Sequence, residues 1–300
     1  MESKFSPIIV FAFNRPEALK KTIQSLLQNE EAKESDLYIF VDGARPDKPG
    51  EEKKVNAVQE YVKDIKGFKS IHHTFSEVNK GLGNSIIQGV TQVINIYGNA
   101  IIVEDDLVCS KNFLSFMNQG LNLFEKEFQI YSICGYTDKV KVPSSYDYDA
   151  YICTRSGSWG WGTWEDRWNN IDWELKNWDE VQSHRKGFNK WGGSDCFKML
   201  NDWRTGRNKS WAIRFCFNQY LNNSLSVFPI ISKVGNFGFD GSGTNCKKWT
   251  RNKFVFDESE NKIFKWPTDI TINKKLYKSA MSYNTIWIRI WSRIMYLIYN

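Results

Sequence analysis

The 300-residue chain reads as an α/β fold: a mostly parallel, doubly wound sheet flanked by helices and continued into an aromatic-rich half. Three observations predict this. Between residues 7 and 107, apolar runs that suit buried strands alternate four times with stretches of helical periodicity, as in successive β-α-β units. The strongest run, Ala100-Ile101-Ile102-Val103, stops at Glu104-Asp105-Asp106, which puts three carboxylates at the carboxyl end of a strand buried on both faces. All 13 tryptophans lie from Trp159 onward, so an aliphatic scaffold precedes an aromatic recognition region.

In chain order, residues 7–13 form the first strand, and Pro16 opens a helix with Leu19, Ile23, Leu26 and Leu27 on one face. Residues 37–41 form the second strand, ended by Asp42-Gly43, and a polar segment leads to a helix with Val55, Val58, Val62 and Ile65 inward. A short strand at 70–75 runs into Asn79-Lys80-Gly81-Leu82-Gly83, and Ile86, Ile87, Val90, Val93 and Ile94 mark the next helix. After the acidic strand come a helix at 111–124 and a strand at 130–134. A polar loop then leads to Ser156-Gly157-Ser158-Trp159-Gly160-Trp161-Gly162-Thr163-Trp164-Glu165-Asp166-Arg167-Trp168. Helices are expected at 195–203 and 211–221, and a glycine-rich loop at 240–246.

Ligands of doubly wound sheets bind beyond the carboxyl ends of the strands. Asn14, Arg15, Asp42, Asn79, Lys80, Gly81, Gly83, Glu104 and Asp105 all fall at that edge and are the candidates for holding a nucleotide. Each also has a plainer reading. Asp42-Gly43 suits a simple turn, Asn79 to Gly83 a loop needing positive φ, and Glu-Asp-Asp a solvated acidic turn. Three adjacent anions persist most easily around a shared cation, and hard oxygen donors without histidine suit Mg²⁺ or Mn²⁺ holding a phosphate. In the aromatic half, Trp159, Trp161 and Trp211 are candidate platforms for a sugar ring, or else members of a buried cluster.

The net charge of +6 is too mild to indicate a nucleic-acid partner. The six cysteines lack a C-x-x-C spacing and suit reduced core thiols of a cytosolic protein. Asn14-Arg15-Pro16 cuts the first apolar run short, so it reads as a strand and not as an export signal.

The chain resembles the GT-A glycosyltransferases over roughly residues 7 to 246, and within them bacterial family 2-like sugar transferases related to the N-acetylglucosaminyltransferase I type. The resemblance is carried by Phe13-Asn14-Arg15-Pro16, Val41-Asp42-Gly43, Asn79-Lys80-Gly81-Leu82-Gly83, Val103-Glu104-Asp105-Asp106-Leu107, Gly160-Trp161, Ser210-Trp211-Ala212-Ile213-Arg214 and residues 236–244. It implies a nucleotide-sugar donor with Asp42 at the base, Asp106 on the metal, and Asp105 and Glu104 toward ribose and sugar. The chain departs from that pattern at Asn245, where many relatives have histidine. It departs again at Lys209 and Ala212, which flank Ser210-Trp211 where the family's base would be sought.

The expected activity is metal-dependent, inverting transfer of a sugar to a hydroxyl of a glycan or lipid-linked acceptor in surface polysaccharide synthesis. The leaving diphosphate needs a cation and the acceptor hydroxyl needs a base. Asp195 is the first candidate base and Asp166 the second, both from the aromatic half; an aspartate ahead of a helix also suits an N-cap. A non-catalytic carbohydrate-binding protein leaves the acidic strand end without a role, and a sugar nucleotidyltransferase needs a glycine-rich loop where Asn14-Arg15-Pro16 stands. The expected organisation is a nucleotide-sugar half (1–136), an acceptor half (137–272) and an amphipathic end (273–300). Arg289 and Arg293 interrupt the final apolar stretch, which suits a peripheral helix on anionic lipid at the inner face of the cytoplasmic membrane, or a terminal element docked on the core.

Overall fold

The computed structural model describes residues 5–236 and 254–285, together with Ile288, Trp291 and Met295. The glycine loop at 240–246, with Asn245, and most of the stretch at 286–299 lie outside the described residues.

β1 (Ile8–Ala12) is buried along its whole length. α1 (Pro16–Leu27) begins with the predicted proline and turns Leu19, Ile23 and Leu26 inward. Leu27, expected on the same face, is exposed, because it lies a further 100° around the helix from Leu26. β2 (Asp36–Val41), α2 (Glu51–Lys63), β3 (Ser70–Phe75), α3 (Leu82–Tyr97) and β4 (Asn99–Glu104) complete the predicted alternation. There follow β5 (Leu107–Cys109), α4 (Phe113–Leu123), β6 (Ile130–Cys134), β7 (Ala150–Cys153), β8 (Trp161–Trp164) and α5 (Glu165–Asn169). A helical segment, α6 (Trp178–Ser183), α7 (Arg185–Gly192), α8 (Cys196–Arg204) and α9 (Ala212–Leu221), precedes β9 (Leu225–Pro229), β10 (Val234–Asn236) and α10 (Lys274–Ser282).

An eight-stranded sheet runs in the order β3-β2-β1-β4-β8-β6-β9-β7. β8 and β7 oppose the other six strands, so the sheet is mostly parallel. One face packs α1, α2 and α4 through residues such as Ile23, Val58 and Phe116. The other packs α3, α5 and α9 through Val90, Trp168 and Phe215.

The expected boundary after residue 136 does not divide the core, since β7, β8 and β9 share one sheet with β1, β4 and β6. The late segment also returns to the first half. Trp266 stacks on Phe116 at 4.7 Å, and a buried Lys233–Asp257 ion pair ties it down.

The chain leaves β1 outward to β2 and β3, then crosses back to β4 on the other side of β1. This reversal opens a crevice at the carboxyl ends of β1 and β4, the place where such sheets receive ligands. Among the described residues no helix is long and apolar enough to cross a membrane.

Candidate active site

The two loops bordering that crevice meet through charge. Ala100 to Val103 are fully buried and fix the end of β4, so Glu104, Asp105 and Asp106 emerge where the register pairs Glu104 with Phe11 of β1. Arg15 follows β1 and reaches across. Its Nη1 donates to Asp106 Oδ2 at 3.1 Å and its Nη2 donates to Asp105 Oδ1, while the Phe13 amide donates to Asp105 Oδ2 at 3.2 Å. Burial alone would lower the Arg15 pKa, but Asp105 and Asp106 outweigh it and the net effect is a rise.

One guanidinium does not balance three carboxyl groups. Burial first, and then Asp106 and Asp105, push Glu104 up to about 8 against the opposing pull of Arg15. Burial likewise raises Asp105 to about 6, with Arg15 resisting. The cation expected from sequence is thus partly supplied by the protein, a role for Arg15 that differs from the nucleotide contact expected of it.

Among the described residues no three His, Cys, Asp or Glu side chains converge as a ready-made metal site. The donor set still fits a hard divalent cation, because Asp106 is partly accessible and its Oδ1 has no protein donor among the described residues. Mg²⁺ and Mn²⁺ are commonly held by one or two carboxylates, with substrate phosphate and water completing the shell.

Asp42 organises the neighbouring loop. Its Oδ1 accepts from the Gly43 amide at 3.0 Å and the Lys80 amide at 2.8 Å, and its Oδ2 accepts from the Gly81 amide at 2.8 Å. Asn79 donates to the Gly43 carbonyl at 2.8 Å, so the loops after β2 and β3 form one unit. The expected base-contacting carboxylate therefore spends both oxygens on backbone amides. Gly81 adopts φ +77° at the start of α3, and a Cβ on Gly83 would come within 2.5 Å of the Lys209 carbonyl oxygen. Only glycine lets the turn before α9 close against α3 there.

The aromatic candidates separate. Trp161 and Trp211 are buried and stack on each other at 4.7 Å, with Phe215 edge-on to Trp161 at 5.5 Å. They are core residues, and the expectation of exposed sugar platforms is corrected for both. The reason is that Trp161 begins an internal strand and Trp211, just ahead of α9, packs on it where that helix covers the sheet. Trp159 stays partly exposed near the carboxyl end of β4, edge-on to Tyr136 at 4.6 Å.

Neither candidate base stands at the acidic strand end with a free carboxylate. Asp195 is buried at the start of α8 but makes no side-chain cap; instead Arg155 grips its two oxygens at 3.0 and 3.1 Å. Asp166 pairs with Arg167 on α5, just after Trp164, whose partner is Asn99 at the far end of β4. The length of β4 puts it about 15 Å from Glu104, at the opposite edge of the sheet.

Sequence reasoning missed Glu51. It accepts from Asn14 Nδ2 at 2.9 Å, the Arg45 amide at 2.8 Å and the Arg45 guanidinium, and so supports the loop carrying Arg15. The available signal was an acid in the first turn of a helix, directly after Pro49-Gly50.

No family model matches the chain. Among solved structures, the mannosyltransferase PcManGT from Pyrobaculum calidifontis in complex with GDP-Man and Mn²⁺ superposes with a TM-score of 0.32 and 8% identity, over 45% of this chain and 37% of its own. S. aureus TarS superposes with a TM-score of 0.31 and 16% identity, over 48% of this chain and 24% of its own. The chain therefore spans well under two thirds of either structure's length, and likeness at this level says nothing about activity.

Proposed function

We propose that the protein is a nucleotide-sugar-dependent glycosyltransferase of the GT-A type, moving a hexosyl or N-acetylhexosaminyl group to a hydroxyl of a glycan or lipid-linked acceptor. The observation that carries the reading is the switch-point crevice: Asp105 and Asp106 share the single guanidinium of Arg15 there, with Glu104 adjoining, beside loops fixed by Asp42 and Glu51. A divalent cation there would neutralise charge developing on the leaving diphosphate. Asp106 would hold that cation through Oδ1, and Glu104 would face the donor. Asp105 acts as a positioning residue, because Arg15 and the Phe13 amide occupy both of its oxygens.

The burial of Trp161 and Trp211 leaves Trp159 alone of the three candidate sugar platforms, which weakens the reading as a non-catalytic carbohydrate-binding protein. We read the displacement as direct, with inversion. Of the two carboxylates considered as base, Asp195 belongs to the aromatic half, and it would have to give up Arg155 to take a proton. A place at an anionic membrane, in surface polysaccharide synthesis, draws support from Lys274, Lys275 and Lys278, all exposed on α10 while Leu276 anchors that helix to Tyr151 and Cys153.

Incubation with UDP-, GDP- and dTDP-sugars and Mn²⁺, followed by release of nucleoside diphosphate, tests the reading. Release with one donor, lost on chelation, is expected. No release with any donor, together with no thermal shift by any of them, would overturn it.

A further inference from the structure

Beside the crevice, α3 and the turn before α9 border a half-open cavity of about 280 Å³, lined among others by Lys80, Gly83, Trp203, Lys209 and Arg214. Three cationic side chains line it and no Asp or Glu does.

Arg214 is the unusual member, at 8% exposure. Its Nε donates to the Ser210 carbonyl at 3.3 Å and its Nη1 to the Trp173 carbonyl at 2.7 Å, while the guanidinium lies 4.7 Å from the Trp203 ring centre. Among the described residues no carboxylate pairs with it and Nη2 has no acceptor. Burial accordingly pulls its pKa down. The other buried arginine among the described residues of this half, Arg167, has Asp166 as its counter-ion, and the partly buried Arg155 has Asp195. A buried guanidinium without an anion is costly unless one arrives with a ligand.

Lys209 is exposed on the same wall, and Lys80, bonded to Gln88 at 3.1 Å, stands on the other. The amides of Asn84 and Ser85 turn to the Gly81 carbonyl, which leaves those of Leu82 and Gly83 ahead of the first intrahelical acceptor. The Lys80 and Gly81 amides are already committed to Asp42.

We propose that this cavity is an oxyanion subsite, holding a phosphate or carboxylate group through Arg214, Lys209 and Lys80. The group belongs either to the donor's diphosphate or to an acidic substituent on the acceptor. That assignment rests on the transferase reading, whereas binding of a free anion does not.

Calorimetric titration of the full chain with inorganic phosphate at low ionic strength decides it without turnover. Saturable, salt-sensitive binding is expected, weakened roughly tenfold in Lys209→Met, the loss of about one charge-assisted contact. Arg214→Lys keeps the charge but loses the planar fork, and should also weaken binding. Lys209 is exposed, so its variant is the decisive one if Arg214→Lys proves unstable. Equal weakening of UDP or GDP binding by Lys209→Met would assign the site to the donor. Weakened phosphate binding with unchanged nucleotide binding would assign it to the acceptor. No saturable phosphate binding, or wild-type affinity in Lys209→Met, would overturn the proposal.

Discussion

Two arginine–aspartate contacts in this molecule use the same chemistry for opposite ends. Arg155 grips both oxygens of the buried Asp195 between the helical segment and the sheet, and the two charges offset each other. Arg15 is shared between Asp105 and Asp106 with Glu104 alongside, so three carboxyl groups face one guanidinium at the mouth of a crevice. The balanced pair leaves nothing for a ligand to satisfy and holds structure together. The unbalanced cluster keeps residual negative charge in a confined place, which is what a cation needs.

The largest expected effect separates the two at once. Asp106→Ala should lower sugar-nucleotide turnover by roughly 10² to 10³ or more, the usual consequence of losing an electrostatic stabiliser, with thermal stability preserved. Near-normal turnover would remove Asp106 from the metal site. Breaking the balanced pair should act on the fold instead: Arg155→Met leaves a buried carboxylate without its counter-ion, at a cost of about 3 to 5 kcal/mol by denaturant unfolding. Arg155→Met combined with Asp195→Leu should recover much of that. If Asp195→Asn instead lost turnover by roughly 10² to 10⁴ with unchanged stability, Asp195 would be the base and the contrast would fail.

Arg15→Met should cost a similar amount, about 3 kcal/mol, because Asp105 is as buried as Asp195, and here a bound cation can take the place of the guanidinium. Its melting temperature should then rise more on adding Mn²⁺ than that of the wild type. Equal shifts would mean that the guanidinium and the metal do not share a site.

The smallest effect concerns a third contact, Arg45 with Glu51. The Arg45 hydrogen bonds hold Glu51 down to about 2, below its ordinary 4.5. A depressed carboxyl pKa contributes stability that is present above the unfolded value and is lost as pH falls. Glu51→Gln should therefore flatten the stability-versus-pH curve between about 4.5 and 2, checked by thermal melts across that window. An unchanged acid limb would show the contact to be idle.

The parallel half was legible because its signals are local. Four apolar runs separated by helical periodicity, with Pro16 opening a helix and three acids closing a strand, leave few arrangements of β1 to β4. The tryptophan stretch was not legible. Trp161-Gly162-Thr163-Trp164 has neither a β-branched run nor strict alternation, yet it forms β8 between β4 and β6. Its rings fall three residues apart on opposite faces, Trp161 among Ile9, Ile102 and Trp211 and Trp164 among Leu121 and Ile133. Gly162 permits this, since a Cβ there would come 3.0 Å from the Ala100 carbonyl oxygen.

By itself the sequence determined which segments are buried and where polar residues must interrupt them, because apolar periodicity acts within one element. It therefore located the edge where the parallel strands end and the acidic strand end within it. Only the tertiary structure decided which charges meet. Arg15 and Asp105 are 90 residues apart and Arg155 and Asp195 are 40 apart. Whether a carboxylate is balanced, surplus or held by backbone amides depends on distances across the sheet that no local pattern encodes. The same holds for Arg214, whose want of an anion becomes visible only once the turn before α9 has packed against α3 and formed a cavity beside it.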